Sequence, residues 1–453
     1  MKKNSQLTLL RNHQPSAQQR VMTRDLINML YHHALVECSQ TLNVLRPALH
    51  ILVKSLPAAA SIVLLCYMAA VRRCRFRGIK TLLDKYPDPT TPLRDINVAH
   101  EVYSRTLLLD FPFMAGISLE MTGLKTFAIP SISKVLVATK QMTTDCKKRL
   151  EDTALILTEL HEVHPRRVAR SMLEEVIDPK TGATVERVRA TPLHIDQADV
   201  EEEQERRNDD ARAEAALKRL NFLHSHYRIS QDDYTYNLSL FVLEATRWID
   251  RFEWRKLTDL EKNAILAVWT QTGRAMGIKN IPGSVQEYAE WAEMYESKKM
   301  VFAPSNAVVA ESSMAFVESI APPAASLLRD FIVSLMTPRL RAAFGYQAPV
   351  RYKVWMFNSL LWLRGCFVKH LMLPRTVPLV RTALRAAKEG KCAEGQKTES
   401  VSGCPFSGHK RYITRFDPAP PPVYPQGYAI EELGPDKFSG KGPAGVNANP
   451  SAL

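Results

Sequence analysis

The chain has no CxxC pair, and its seven cysteines (Cys38, Cys66, Cys74, Cys146, Cys366, Cys392 and Cys404) are odd in number and widely spaced. This argues against a disulfide framework and a structural zinc site, and it predicts a body that faces a reducing, cytosolic environment. Also missing are a GxGxxG after a strand, a Walker loop, a GxSxG elbow and an HExxH pair. The common nucleotide, hydrolase and zinc-protease chemistries therefore have no motif here. The net charge of +13 raises anionic partners. No basic stripe with interleaved aromatics accompanies it, however, and the acidic cluster Glu201, Glu202, Glu203, Glu205, Asp209 and Asp210 is interleaved with arginines. No nucleic-acid partner is expected.

Long apolar runs are scarce, which makes the exception informative. Leu49 to Val71 is the longest, and its uncharged part, Ser55 to Val71, is short for a membrane span. A spanning helix needs about 20 mostly apolar residues and at least ~17. Lys54 can snorkel to the interface, and Pro57 near a helix start costs little. The run is therefore expected to be a transmembrane helix (49–71), with a buried core helix as the alternative. Arg72, Arg73, Arg75, Arg77 and Lys80 follow it directly. Flanking positive charge stays cytoplasmic, so the expected topology is single-pass with the body in the cytosol and residues 1–48 in the lumen. Arg11, Arg20, Arg24 and Arg46 on the other flank oppose that bias.

Behind a basic linker (72–94) the pattern is helical, and an all-α body is predicted over 95–415, followed by an extended Pro/Gly-rich tail over 416–453. A helical stretch from Asn97 to about Leu160 breaks at Ile129-Pro130-Ser131. Residues 165–213 look like a charged insertion, with a short hairpin around Val176 to Val185 and a segment, Asp199 to Arg212, charged on every face. The best-defined helix is Gln231 to Phe252. Ser230 and Asp233 have capping spacing, and Leu238, Phe241, Ala245, Trp248 and Phe252 form one apolar face. Further helices are expected after Thr258 to Met276, over Ala324 to Phe344, and over Lys353 to Leu371. Arg364 and Lys369 make the last one core or surface-lying rather than a second span.

Among twelve histidines, two are well placed, at the C-terminal end of a helix: His224 and His226. Residues two apart on a helix diverge by about 200°, so the pair cannot serve one metal from one side. One histidine per face suits a single axial haem ligand. Residue types alone favour the plainer alternative, partly buried histidines hydrogen-bonded near a helix terminus.

Several blocks change that balance. Arg219 to Arg228 (RLNFLHSHYR), Asp232-Asp233, Tyr236 to Phe241 and Arg247 to Glu261 resemble the fungal ER-bound oxygenases of the MpaB type, which are grouped with the bacterial rubber oxygenases. Asp110-Phe111-Pro112 and Gly123 to Val137 look like that family's early segment, and Tyr424 to Gly442 like the tail of its fungal branch. The resemblance covers roughly 95–442, with 165–213 unmatched.

It implies an all-α catalytic domain on an endoplasmic-reticulum anchor and O2-dependent cleavage of an isoprenoid carbon–carbon double bond to carbonyl products. Rubber oxygenases use a b-type haem on a histidine of a core helix; iron is needed because ground-state dioxygen reacts slowly with alkenes. The corresponding position falls near Asn237 or Leu238, where this chain has no histidine. His224 is then the expected iron ligand, with His226 as the other cofactor-binding candidate. Arg219 would polarise bound oxygen, although the family's companion lysine and threonine are not evident. Tyr227 and Asp233 would support it. Hydroxylation of a polyketide or terpenoid intermediate by the same fold, or a non-catalytic membrane scaffold, are the alternatives.

Overall fold

The computed structural model describes residues 59–177, 184–188, 200–384, 423–425 and 427–442. The chain divides into two units, Met1–Ala70 and Val71–Leu453. In the first, residues 59–70 are helical, with Ile62, Val63, Leu64 and Leu65 exposed. Residues 49–58 of the expected span lie outside the described residues. Among the described residues no single helix is long and apolar enough to cross a membrane.

The larger unit opens with helical residues 71–85 (α1). There follow α2 (Thr91–Arg94), α3 (Ile96–Ser104), a π-helical turn (Arg105–Asp110), α4 (Pro112–Phe127), α5 (Pro130–Thr139), α6 (Gln141–Thr144), α7 (Cys146–His161) and α8 (Val163–Ser171). After the hairpin β1 (Leu173–Ile177) and β2 (Thr184–Val188) come α9 (Val200–Ser225), α10 (Gln231–Phe252), α11 (Asp259–Ala275), α12 (Val285–Lys299) and α13 (Pro304–Ile320). The series closes with α14 (Ala325–Leu335), α15 (Pro338–Phe344) and α16 (Arg351–Leu371). The all-α expectation holds, with one antiparallel hairpin that pairs Val176 with Val185 as the central Pro/Gly turn suggested.

Local chemistry explains the boundaries. The Ser230 hydroxyl accepts from the Asp233 backbone N–H at 3.0 Å and starts α10. Thr258 and Glu261 form a reciprocal capping box on α11, satisfying two N–H groups that a helix start leaves unpaired. The single helix expected over Ala324 to Phe344 is two helices. Pro338 cannot donate to the helix ladder, so the chain breaks at Met336–Thr337 and restarts with Pro338 in the first turn of α15.

The main core is built around α10, which packs along α4 and is buried on nearly every side through Leu238, Val242, Ala245, Trp248 and Ile249. Inside the unit, Lys125 of α4 sits between Glu244 of α10 (2.9 Å) and Glu296 of α12 (3.1 Å), while the Trp248 indole donates to Glu244 at 3.0 Å. α16 docks on the end of α10 through Gly365, where a Cβ would stand 2.6 Å from the Phe252 carbonyl oxygen. Only glycine permits that approach.

Two expectations are corrected. Of the charged stretch Asp199 to Arg212, the described part from Val200 is helical, as one of its two readings had it, but it is not solvated on every face. Asp209 and Arg212 are buried. With Arg166 and Arg170 of α8 and Glu159 of α7 they form an ion cluster: Arg166 to Asp209 at 2.7 Å, Arg170 to Asp209 at 2.6 Å, and Arg212 to Glu159 at 2.6 Å. Periodicity of apolar residues does not register a face that is buried through charge. The second correction concerns the tail. Its described part does not extend away; Tyr428, Ala429, Ile430 and Leu433 are buried, and the Tyr428 hydroxyl donates to Glu159 at 2.5 Å. The tail is the lid of the ion cluster.

Burial pushes the Glu159 carboxyl upward, but Arg212 and Arg166 outweigh it and hold the group below the usual carboxylate range. Glu159→Gln removes that charge and leaves three buried guanidiniums to share the single carboxylate of Asp209. Breaking such a cluster costs about 3–5 kcal/mol. The denaturation midpoint of the variant should fall accordingly, with early proteolytic cleavage in the tail; an unshifted midpoint would contradict this account.

Candidate active site

α4 carries one carboxylate, Glu120. It lies on the same face as Phe113 and Gly116, three and four residues apart, and no heavy atom outside the local backbone approaches within 4 Å of where a Gly116 Cβ would be. Glu120 is solvent-exposed on that face, although protein atoms stand close around its carboxyl. Burial raises its carboxyl above the ordinary value, with Arg381 pulling the other way.

Facing it is the start of α7, capped by the Asp145 carboxylate on the Lys148 N–H at 3.0 Å. Cys146 and Arg149 project from this first turn. Burial pushes the Cys146 thiol up to about 11 and lowers the Arg149 guanidinium, which donates to Thr153 one turn on. Arg149 acts electrostatically on Cys146, Tyr227 and His224, and Glu120 acts on Cys146. Residues of α4, α7 and the end of α9 therefore converge on one polar cluster.

His224 is the centre of that cluster. Its ring stands edge-on to Tyr234 of α10 at 5.6 Å, and its Nδ1 is buried without a hydrogen-bond partner. Burial first, and the Arg149 charge second, lower its pKa to about 4. The imidazole is uncharged at neutral pH, with an in-plane lone pair available. The Tyr227 hydroxyl is likewise buried and unpartnered. These properties fit one-histidine ligation of iron, which requires a neutral ring and a free nitrogen.

The remaining sequence candidates point elsewhere. His226 leaves in a different direction from His224. Its Nδ1–H donates to the Phe222 carbonyl at 2.7 Å, and its ring packs on Phe438 of the tail at 4.3 Å. That bond makes Nδ1 the donor and places the exposed ring against the tail. Arg219 is buried, and its guanidinium donates to the carbonyls of Leu433 (2.7 Å), Lys441 (2.6 Å) and Phe438 (3.1 Å). It clasps the tail instead of facing His224. Asp233 accepts from Ser131 of α5 at 2.7 Å and from Tyr295 of α12, so it ties three helices together. Asn237 accepts from Thr126 at 2.8 Å, and Leu238 is in the core. A groove of about 260 Å³ runs between α5 and the α9–α10 loop, lined by Thr139, His226, Tyr227, Arg228 and Lys437 among others.

Sequence reasoning missed Glu120, Cys146, Arg149 and His161. The single carboxylate of α4 was a usable signal for Glu120. Arg149 sits in an ordinary charged run and gave none. His161, at the far end of α7, lies between Tyr103 (5.8 Å) and Trp269 (4.4 Å), with both ring nitrogens buried and unpartnered. Burial, reinforced by His100, lowers its pKa to about 3.

Because the unfolded chain takes up a proton on His161 below its ordinary value of 6.5 and the folded chain does not, stability is full above that pH and falls on acidification. Between pH 6.5 and 5 the loss is about 2 kcal/mol from this one group. His161→Phe should remove that share of the acid slope. Urea midpoints of the two proteins at pH 7 and pH 5 measure it, and an equal slope in both would refute it.

Comparison with known proteins agrees with this architecture. The model of the ER-bound oxygenase mpaB/B'/rubber oxygenase catalytic domain matches residues 182–365, and so reaches into the stretch expected to be unmatched. ER-bound oxygenase mpaB' of Penicillium brevicompactum is 27% identical over 416 residues, covering 84% of this chain and 88% of that protein. ER-bound oxygenase mpaB of Penicillium roqueforti (strain FM164) is 27% identical over 260 residues, 52% of this chain and 72% of that one. ER-bound oxygenase mpaB of P. brevicompactum is 26% identical over 337 residues, 70% and 69% respectively. The helical body, the matched catalytic domain and the alignment along most of the chain lead to one conclusion: the protein is an oxidoreductase of the oxygenase type, similar to the ER-bound oxygenases mpaB and the rubber oxygenases.

Proposed function

We propose that the protein is an endoplasmic-reticulum oxygenase of secondary metabolism, anchored through residues 49–71 with its body in the cytosol, that cleaves an isoprenoid carbon–carbon double bond with dioxygen. The observation that carries this reading is the buried, uncharged His224 ring with its free Nδ1, in a family whose name is that of an oxygenase. His224 would hold the iron of a b-type haem, which when bound supplies the binding and activation of dioxygen.

The surrounding residues have distinct tasks. Arg149 and the Tyr227 hydroxyl stand beside His224 and supply positive charge and a hydrogen-bond donor in a site from which water is largely excluded. Glu120, whose carboxyl burial favours in the neutral form, can carry a proton on the α4 side. Arg219 serves at one remove, by clasping the tail over α9. Asp233 serves by fixing α10 against α5 and α12.

Cleavage balances simply: one alkene and one dioxygen give two carbonyl groups, each with one oxygen atom from dioxygen. Incubation with a prenylated intermediate under 18O-labelled dioxygen should therefore place label in both carbonyl fragments. Label in a single hydroxyl of an intact chain would mean hydroxylation instead. The full chain purified in detergent should show a Soret band and a b-type pyridine haemochrome. His224→Ala should abolish both, and an unchanged spectrum in that variant would refute the ligand assignment. Protein without bound iron would remove the haem mechanism.

A further inference from the structure

α16 is apolar on two opposite sides. Phe357, Leu361, Gly365 and Val368 are turned inward, where Phe357 packs on Phe331 of α14 and Gly365 rests on the end of α10. On the other side Trp355 is 73% exposed and Trp362 59%, and Tyr352, Leu360, Leu363 and Phe367 are each more than half exposed. At about 100° per residue these six fall within an arc of about 160°, centred opposite the buried stripe. A soluble surface helix has one apolar stripe, not two.

The charges are arranged to match. α16 has no aspartate or glutamate, and its four Lys and Arg residues lie along the two rims of the exposed arc: Arg351 and Lys369 on one, Lys353 and Arg364 on the other. Lys353 and Arg364 pair with Asp330 and Glu253 of neighbouring elements, which fixes that rim to the body. Just after the helix, the Arg75 guanidinium donates to the carbonyls of Met372 (2.8 Å) and Leu373 (3.1 Å). Both residues are exposed, and Arg75 follows the apolar run ending at Val71 by four positions in sequence. The exposed face is thus tethered to the part of the chain nearest the proposed anchor.

We infer that α16 lies in the plane of the cytosolic leaflet, with its outer face sunk to the headgroup–acyl boundary of an anionic phospholipid bilayer. Tryptophan and tyrosine favour that depth, and the cations of the other rim, Arg351 and Lys369, can reach back to lipid phosphates. One functional link follows from α4. Arg364 of α16 stacks on Phe113 at 4.1 Å, and Phe113 heads the α4 face that continues through Gly116 to Glu120. A bilayer under α16 therefore borders the side of α4 that leads to the polar cluster, and a lipid-dissolved substrate need not cross water.

The test uses the full chain reconstituted in phosphatidylcholine–phosphatidylserine vesicles with and without brominated acyl chains. Trp248, Trp254 and Trp269 are buried, and Trp291 stacks on Tyr295, so bromine should quench emission mainly from Trp355 and Trp362. The double variant Trp355→Phe/Trp362→Phe, at two exposed positions that folding does not need, should lose most of that quenching. Retention of wild-type quenching in the double variant would overturn the inference. So would a detergent-solubilised dimer that falls to a monomer in Trp355→Asp/Leu363→Asp, because the face would then be covered by a second copy.

Discussion

The buried ion cluster around Glu159 is the constraint on which the catalytic half of the body depends. Glu159, Arg166, Arg170, Asp209 and Arg212 come from α7, α8 and α9, and Tyr428 and Thr382 are brought to them from far along the chain. Five ionised groups so enclosed are tolerable only because each meets an opposite charge or a polar atom at hydrogen-bond distance. The geometry that satisfies them is narrow. α7 must lie along α9, and the tail must close over both. Arg219, one face of α9 further on, repeats the principle by clasping three tail carbonyls.

That scaffold decides where the chemistry can be. With α7 and α9 fixed side by side, the first turn of α7 meets the last turn of α9, and Arg149 comes to influence His224 and Tyr227. α10 closes the other side with Tyr234 and is itself fixed by the Ser230 cap and the Asp233 junction. The cluster is polar, enclosed and electrically asymmetric, with one arginine, one neutral imidazole and one carboxyl that burial favours as neutral. A dioxygen-activating site has the same needs, since activation requires a metal ligand and charge stabilisation while the intermediates require exclusion of water. At the other end of α4, Phe113 meets Arg364 of α16.

Elements governed by neighbours in sequence were legible beforehand. The capped helix α10 runs over the expected residues, Thr258 starts α11 as expected, and Gly277, at φ +75°, follows its end. The pairing in the hairpin also follows its local turn signal. His224 and His226 diverge because a fixed helical rotation separates positions two apart, whatever the surroundings. The helical character of the body and its oxygenase type were accessible for the same reason: they reside in patterns that one stretch of chain carries.

What only the tertiary structure decided is the fate of charged groups. The sequence marks Arg166, Asp209, Arg212 and Arg219 as cations and anions in polar stretches, and composition alone assigns such residues to solvent. Whether a charge is solvated or buried depends on a partner that is distant in sequence, and the partner of Glu159 lies 269 residues away in Tyr428. The same dependence separated the site candidates: Arg219 and Asp233 are occupied by distant backbone and side-chain groups, while Arg149 is brought to His224 and Glu120 to Cys146. Short-range order belongs to the sequence because its hydrogen bonds close within a few residues. The polar cluster, its charges and the outward face of α16 belong to the packing because each exists only where separate helices meet or fail to meet.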